Sequence, residues 1–98
     1  MLYKVSDRET IPSLVAAVGF TAAKLAPTTG TIYYALIQAV GGNVRFCIDG
    51  SIPSISLGLR LPKDSTVEVW GTEAMANFLC IDDGGTAKLE VVYMGVGV

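Results

Sequence analysis

The chain contains no histidine. That absence removes the commonest general base, proton shuttle and zinc ligand together. Charge is scarce as well: seven Lys and Arg against nine Asp and Glu make up 16% of the residues and leave a formal net charge of −2. An average soluble domain carries about 25% charged residues. A pI near 4.8 supplies no basic field to neutralise phosphates, so nucleic acid is not expected as a partner. Long apolar runs are also missing, although 51% of the residues are hydrophobic and the mean hydropathy is +0.52. The longest, residues 14–20 and 32–40, fall well short of the roughly 20 residues of a membrane-spanning helix, and no membrane partner is expected. Lys4, Asp7, Arg8 and Glu9 stand where a signal peptide has its apolar segment, so no export signal is read.

Cysteine is limited to Cys47 and Cys80, each in the middle of a strand-like run. Free cysteines in such places behave as small hydrophobes, and both are expected to be reduced and packed. Two Cys without His cannot complete a metal site. Low charge and abundant Val, Ile and Leu exclude intrinsic disorder. Ninety-eight residues bound the chain to one domain, 1–98, with no room for a second core.

What is present is period two. Val44, Phe46 and Ile48 alternate with Arg45, Cys47 and Asp49; Val67 and Val69 alternate with Thr66 and Glu68; Leu89, Val91 and Tyr93 oppose Lys88, Glu90 and Val92. Half-buried strands give this pattern. A core of Phe46, Ile48, Val67, Val69, Leu89 and Val91 follows from it. The run from Thr31 to Val40 is apolar on both faces and calls for cover on both sides, by two layers of its own fold or by another subunit. Gly41-Gly42-Asn43 and Asp82-Asp83-Gly84-Gly85 sit at hairpin distance between strands, and Pro62-Lys63-Asp64-Ser65 suits a type I turn. Helical signal is weak. Val15, Val18, Phe20 and Thr21 favour strand within 13–25, and 72–76 offers one turn capped by Thr72. The expected fold is all-β, a single-domain antiparallel β-sandwich or jelly-roll-like barrel of about seven to eight strands. Residues 1–12 read as an N-terminal arm and 95–98 as a flexible C-terminal tail.

Chemistry finds little purchase. Asp82-Asp83 is the single paired carboxylate and reads first as turn chemistry. No calcium loop, phosphate loop, dinucleotide fingerprint or nucleophile elbow occurs. A Ser or Cys nucleophile has no histidine to activate it. No catalytic residue, cofactor or metal is therefore expected. The aromatic residues carry more. Trp70 lies on the Thr66 and Glu68 face of its strand, while alternation points Tyr33 and Tyr34 to opposite faces. Trp and Tyr anchor interfaces, and they also stack on sugar rings. Leu2, Tyr3, Tyr33, Trp70, Val96 and Val98 are the candidate partner-binding residues.

The segment Val44-Arg45-Phe46-Cys47-Ile48-Asp49-Gly50-Ser51-Ile52-Pro53-Ser54 reads V-R-[FY]-x-[IL]-D-G-x-x-P-[ST], with Val18-Gly19-Phe20-Thr21 ahead of it and Leu89-Glu90-Val91-Val92-Tyr93 behind. This order resembles small virion structural proteins of tailed phages and prophages, of the capsid decoration (cement) or head-fibre kind, over roughly residues 15–94. Lys63-Asp64 departs from that family's usual glycine turn. The resemblance implies a non-enzymatic protein that stabilises a head by binding the major capsid protein or another virion protein. It further implies a homo-oligomer, a trimer by preference, located in the virion and assembled in the host cytoplasm. The same D-G-x-x-P corner also looks like immunoglobulin-like modules of chitin- and hexosamine-processing enzymes, which keeps a small carbohydrate-binding module as the alternative.

Overall fold

The structure, a computed structural model, describes residues 2–98. Strands β1 (Lys4–Ile11), β2 (Thr31–Val40), β3 (Val44–Cys47), β4 (Leu59–Leu61), β5 (Thr66–Trp70), β6 (Leu79–Asp82) and β7 (Lys88–Val96) are all antiparallel. They form a four-stranded sheet in the order β1-β7-β2-β5 and a three-stranded sheet in the order β4-β3-β6. The two sheets pack on one another as a β-sandwich and neither closes into a barrel. Short helices α1 (Ala22–Leu25) and α2 (Thr72–Asn77) complete the elements.

Alternation builds most of the core. Leu89, Val91 and Tyr93 of β7, Val69 of β5 and Val44 and Phe46 of β3 are buried, with Val67 packed against them. Ile48 is not part of it. β3 ends at Cys47, the chain leaves the sheet through an Asp49–Ser51 turn (Ser51 N donates to Asp49 Oδ1, 3.0 Å), and Ile48 is 42% exposed. The D-G-x-x-P corner instead buries Pro53, and the segment returns to the small sheet at Gly58, close to Phe46 and Cys47.

β2 departs from strict alternation in a way that matters more. Ile32 pairs with Gly95 and Tyr34 with Met94, so Tyr33 is an extra, unpaired residue. Such a bulge shifts the side-chain phase by one. Ile32 and Ala35 both point inward, and Tyr33 and Tyr34, expected on opposite faces, are both half-buried outside the core. A second bulge lies across β7, where Ser6 is the extra residue between Val5 and Asp7 of β1. Beside the β2 bulge the backbones of β2 and β7 approach closely. A Cβ on Gly95 would stand 2.2 Å from the Thr31 carbonyl oxygen.

The glycine turns are corners rather than hairpins. Residues 41–43 carry the chain from β2 in the large sheet to β3 in the small one, and 83–87 carry it back from β6 to β7. A turn signal marks where the chain reverses, not whether the flanking strands pair. Pro62–Ser65 is also a corner. Ser65 N donates to Pro62 O at 3.0 Å, and Asp64 at the third position has φ 65°, which is incompatible with a type I turn. Gly71, not Thr72, is the N-cap of α2. Residues 14–18 run along the open edge of β6, with Val18 and Cys80 exchanging backbone hydrogen bonds of 2.9 and 3.0 Å.

The terminal segments are strands. The arm expected over 1–12 is edge strand β1 from Lys4 onward, with Met1 outside the described residues. The tail expected over 95–98 begins inside β7, where Gly95 and Val96 pair with Ile32 and Thr31, and Val98 packs against the core. Four of the chain's scarce charges, Lys4, Asp7, Arg8 and Glu9, lie on β1. Charge on an edge strand blocks unwanted pairing.

Both cysteines are free and buried. Cys47 pairs with Leu79 and Cys80 with Phe46, so adjacent register positions send the two thiols to opposite faces of the small sheet. They cannot bridge. Burial pushes the Cys80 thiol up to about 12. Two outcomes follow. Labelling of denatured, unreduced protein recovers both thiols, whereas folded protein at neutral pH labels Cys80 only at the rate of unfolding; a Cys47–Cys80 disulfide would contradict this register. Gly95→Ala destabilises the fold by about 2–3 kcal/mol in chemical denaturation, because the clashing atoms are backbone and cannot step aside.

Candidate interaction surface

The outward face of the large sheet can be read row by row from its register. One row runs Val5, Met94, Tyr34, Trp70 across β1, β7, β2 and β5; the next runs Arg8, Val92, Leu36, Glu68; the third runs Thr10, Glu90, Gln38, Thr66. The first row is wholly apolar. The second is apolar in the middle and charged at its edges. The third is polar. Much of this face is open among the described residues: Val5 is 62%, Trp70 48% and Leu36 37% exposed.

At the apolar end the bulge gathers four rings. Tyr34 stacks on Trp70 with centroids 4.1 Å apart, and Tyr3 meets Tyr33, Tyr34 and Trp70 edge-on at 6.0, 5.6 and 5.5 Å. Trp70 Nε1 donates to Glu68 Oε1 at 3.0 Å, which satisfies the one polar atom of the indole. Such aromatic pairs contribute about 0.5–1.5 kcal/mol each beyond the area they bury. The cluster is therefore rigid before any partner arrives.

A second apolar patch lies beside the small sheet. Ile48, Ile52, Ile55, Leu57 and Leu59 are all exposed, and Ile48, Leu57 and Leu59 line a groove of about 290 Å³ with Phe46, Cys47, Asp49 and Gly58. Its frame is held by charge. The Asp83 carboxylate takes Arg45 Nε at 3.3 Å and Arg60 Nε at 3.6 Å, and Arg45 Nη1 donates to the Gly58 carbonyl at 3.1 Å. Asp82 Oδ1 accepts from the Gly85 and Ala87 amides, so the paired carboxylates serve local structure.

One end of the sandwich is closed by a polar latch. The Glu9 carboxylate accepts hydrogen bonds from the Tyr93 hydroxyl, the Thr21 hydroxyl and the Thr21 amide. Burial pushes the Glu9 carboxyl up, but the Thr21 and Tyr93 hydrogen bonds and the Lys24 charge outweigh it and hold the group below its ordinary value. Burial, reinforced by Glu9, pushes the Tyr93 phenol well above its usual range. Beside the latch, Lys24 and Asp7 form an ion pair at 2.8 Å. The neighbouring hollow of about 290 Å³ is lined by Ser6, Asp7, Lys24, Thr28, Thr29 and Val98 among others. Among the described residues no three His, Cys, Asp or Glu lie close enough to hold a metal ion.

Of the residues singled out from sequence, Tyr3, Tyr33 and Trp70 come together in the ring cluster. Leu2 is exposed next to it in the chain. Val96 is half-buried in β7 and Val98 belongs to the polar end. Sequence reasoning missed Tyr34, Leu36, Met94 and the 48–59 patch. Leu36, Met94 and Tyr34 were legible as the second face of their strands, whereas the bulge hid that Tyr33 joins Tyr34 outside the core. Comparison with known proteins adds no relative: no family model, no curated protein and no solved structure matches this chain.

The latch is testable by pH. A depressed carboxyl contributes stability that is present above its unfolded value and lost as pH falls through the folded one. Tyr93→Phe removes one of the bonds that lower Glu9. Urea denaturation of this variant at pH 7 gives a loss of about 1–2 kcal/mol, and the gap to the parent narrows as the pH is lowered below 4.5. A gap independent of pH would show that Tyr93 acts through packing alone.

Proposed function

We propose that this chain is a non-enzymatic structural module that acts as a homo-oligomer on other protein surfaces, as a capsid decoration protein of a phage virion does. The observation that carries the reading is the pair of uncovered apolar surfaces on a rigid sandwich, one on the large sheet and one around residues 48–59. Exposed apolar surface on this scale marks sites of association. The virion itself comes from the resemblance of the 44–54 segment, and the patch lies within and just beyond that segment.

The contact with the capsid is assigned to residues 48–59 rather than to the terminal segments. β1 and β7 are sheet strands, so neither is available as a free arm from Lys4 to Ile11 or at Gly95 and Val96. Ile52 and Ile55 sit on a loop fastened by the buried Pro53, and they present apolar side chains at little ordering cost. Repetition on a lattice then multiplies a modest single contact. A stacked Trp70–Tyr34 pair beside exposed Tyr3 is also what a sugar-binding platform uses, but Tyr34 already occupies one face of the indole.

The test is co-sedimentation with purified capsids, together with survival of the particles on heating. The intact chain is retained and protects them, while Ile52→Asp with Ile55→Asp abolishes retention and leaves the circular-dichroism spectrum unchanged. Failure of the intact chain to bind capsids, with retention on chitin that Trp70→Ala removes, would replace this reading with the carbohydrate-binding one.

A further inference from the structure

We infer that the outer face of the large sheet is the contact between two copies of this chain, related by a two-fold axis parallel to the strands. The inference stands on the row pattern of the sheet, independently of what the assembly coats. Rotation about such an axis lays the sheet on its copy with strand order reversed. β1 then faces β5 of the second copy, and β7 faces β2. In the first row Val5 meets Trp70 and Met94 meets Tyr34; in the second Arg8 meets Glu68 and Val92 meets Leu36; in the third Thr10 meets Thr66 and Glu90 meets Gln38. Apolar lies on apolar, cation on anion, and carboxylate acceptor on amide donor. Each contact occurs twice, as an isologous interface requires.

The charges select this axis over the other choice. A two-fold axis across the strands would set β1 on β1 and β5 on β5, with Arg8 of one copy over Arg8 of the other. It would also lay the aromatic row on the polar row. With the axis along the strands, the one cation and the one anion of the middle row stand at opposite edges and meet their opposites. Both retain capacity: Arg8 reaches Glu90 at 3.2 Å and Thr10 Oγ1 at 3.5 Å through Nη2 alone, and among the described residues Glu68 accepts one side-chain hydrogen bond, from Trp70. Like-charge contact suppresses the wrong arrangement as effectively as opposite charge favours the right one.

Area agrees. Val5, Tyr3, Leu36 and Trp70, with the half-buried Tyr33, Tyr34, Val92 and Met94, present roughly 600 Å². Two such faces remove about 1,200 Å² in total, the lower bound for a specific complex, before the polar row is counted. Sheets packed this way lie about 10 Å apart at roughly −30°, as the two sheets within a sandwich do. A face closed on its own copy uses one patch and gives a pair. The trimer implied by the resemblance would need this face to meet a different patch on the next subunit.

Sedimentation equilibrium on the intact chain, read together with the emission of Trp70, the single tryptophan, tests the inference. The expected result is a monomer–dimer equilibrium in which emission shifts to the blue as dimer forms, because Trp70 becomes covered. Leu36→Glu raises the dissociation constant at least about 100-fold. Glu68→Arg raises it about 10-fold or more by setting Arg against Arg8, with an unchanged circular-dichroism spectrum as the check on folding. Glu68→Gln, which can still accept from Trp70 Nε1, raises it less. Ile55→Glu in the other patch leaves it unchanged. A stable monomer at high micromolar concentration, a trimer, or loss of the dimer with Ile55→Glu but not with Glu68→Arg overturns the proposal.

Discussion

The extra residue in β2 governs the rest of the molecule. β2 and β7 are the two central strands of the large sheet, paired from Thr31 and Val96 to Val40 and Lys88. Their inner faces must match the small sheet, and β2 is apolar on both sides, so hydrophobicity alone does not choose which side turns inward. The bulge at Tyr33 settles it. Beyond Tyr34 the small residues Ala35 and Ala39, with Ile37, enter the core, and before it Ile32 does. Without the bulge the phase at one end would be inverted, placing Tyr33 inside with Ala35, Ile37 and Ala39. The same shift turns Tyr33 outward beside Tyr34, which stacks on Trp70, and next to it the strands approach closely at Gly95. Core, aromatic cluster and glycine requirement meet at this bulge.

Legibility in the sequence follows from this. Strands with plain alternation, such as β7 and β5, showed their inner and outer faces, because lysine and glutamate mark the outside of β7 and threonine and glutamate that of β5, although the last residues of β7, Gly95 and Val96, read as tail. The sandwich followed from them. Ile48 misled because alternation continues in the sequence past the point where Asp49 and Gly50 turn the backbone out of the sheet. The corners misled for a related reason: a Gly-Gly-Asn turn serves a hairpin and a sheet-to-sheet crossing equally well. Tyr33 was misplaced relative to Tyr34 since a bulge is set by pairing partners far along the chain, Met94 and Gly95, and leaves no local mark. The terminal segments read as loose because each is short and irregular alone. Their order comes from pairing with one another, Lys4 with Gly95 and Val5 with Met94.

Charge economy gives the second organising idea. With so few ionisable groups, several have a definite task. Asp83 gathers two arginines at the groove, Glu9 latches Thr21 and Tyr93 over one end of the core, and β1 takes a concentration of charge that guards its edge. What is left on the two outer surfaces is apolar by default. Single exposed hydrophobes are ordinary. Ordered rows of them on a rigid sheet are not, because such a surface is already shaped and loses little side-chain entropy on contact.

Two patches with different character argue for a division of labour. The large-sheet face is flat, graded from aromatic to polar, and carries opposite charges at opposite edges, a pattern complementary to itself. The 48–59 patch holds a groove lined by Ile48, Leu57 and Leu59 with Asp49, and it has no such internal symmetry. A surface that pairs with its own copy closes after two subunits and is then used up. A groove left on the outside of each subunit stays available, and the pair presents it twice. Association carries a cost of at least about 4 kcal/mol in lost translational and rotational freedom, so one small groove binds weakly. Two grooves on one rigid pair share that cost, provided that their spacing matches a repeat on the partner. On the pairing proposed above, the fold would convert an apolar excess, a liability in a lone subunit, into a bivalent tool for a repeating surface.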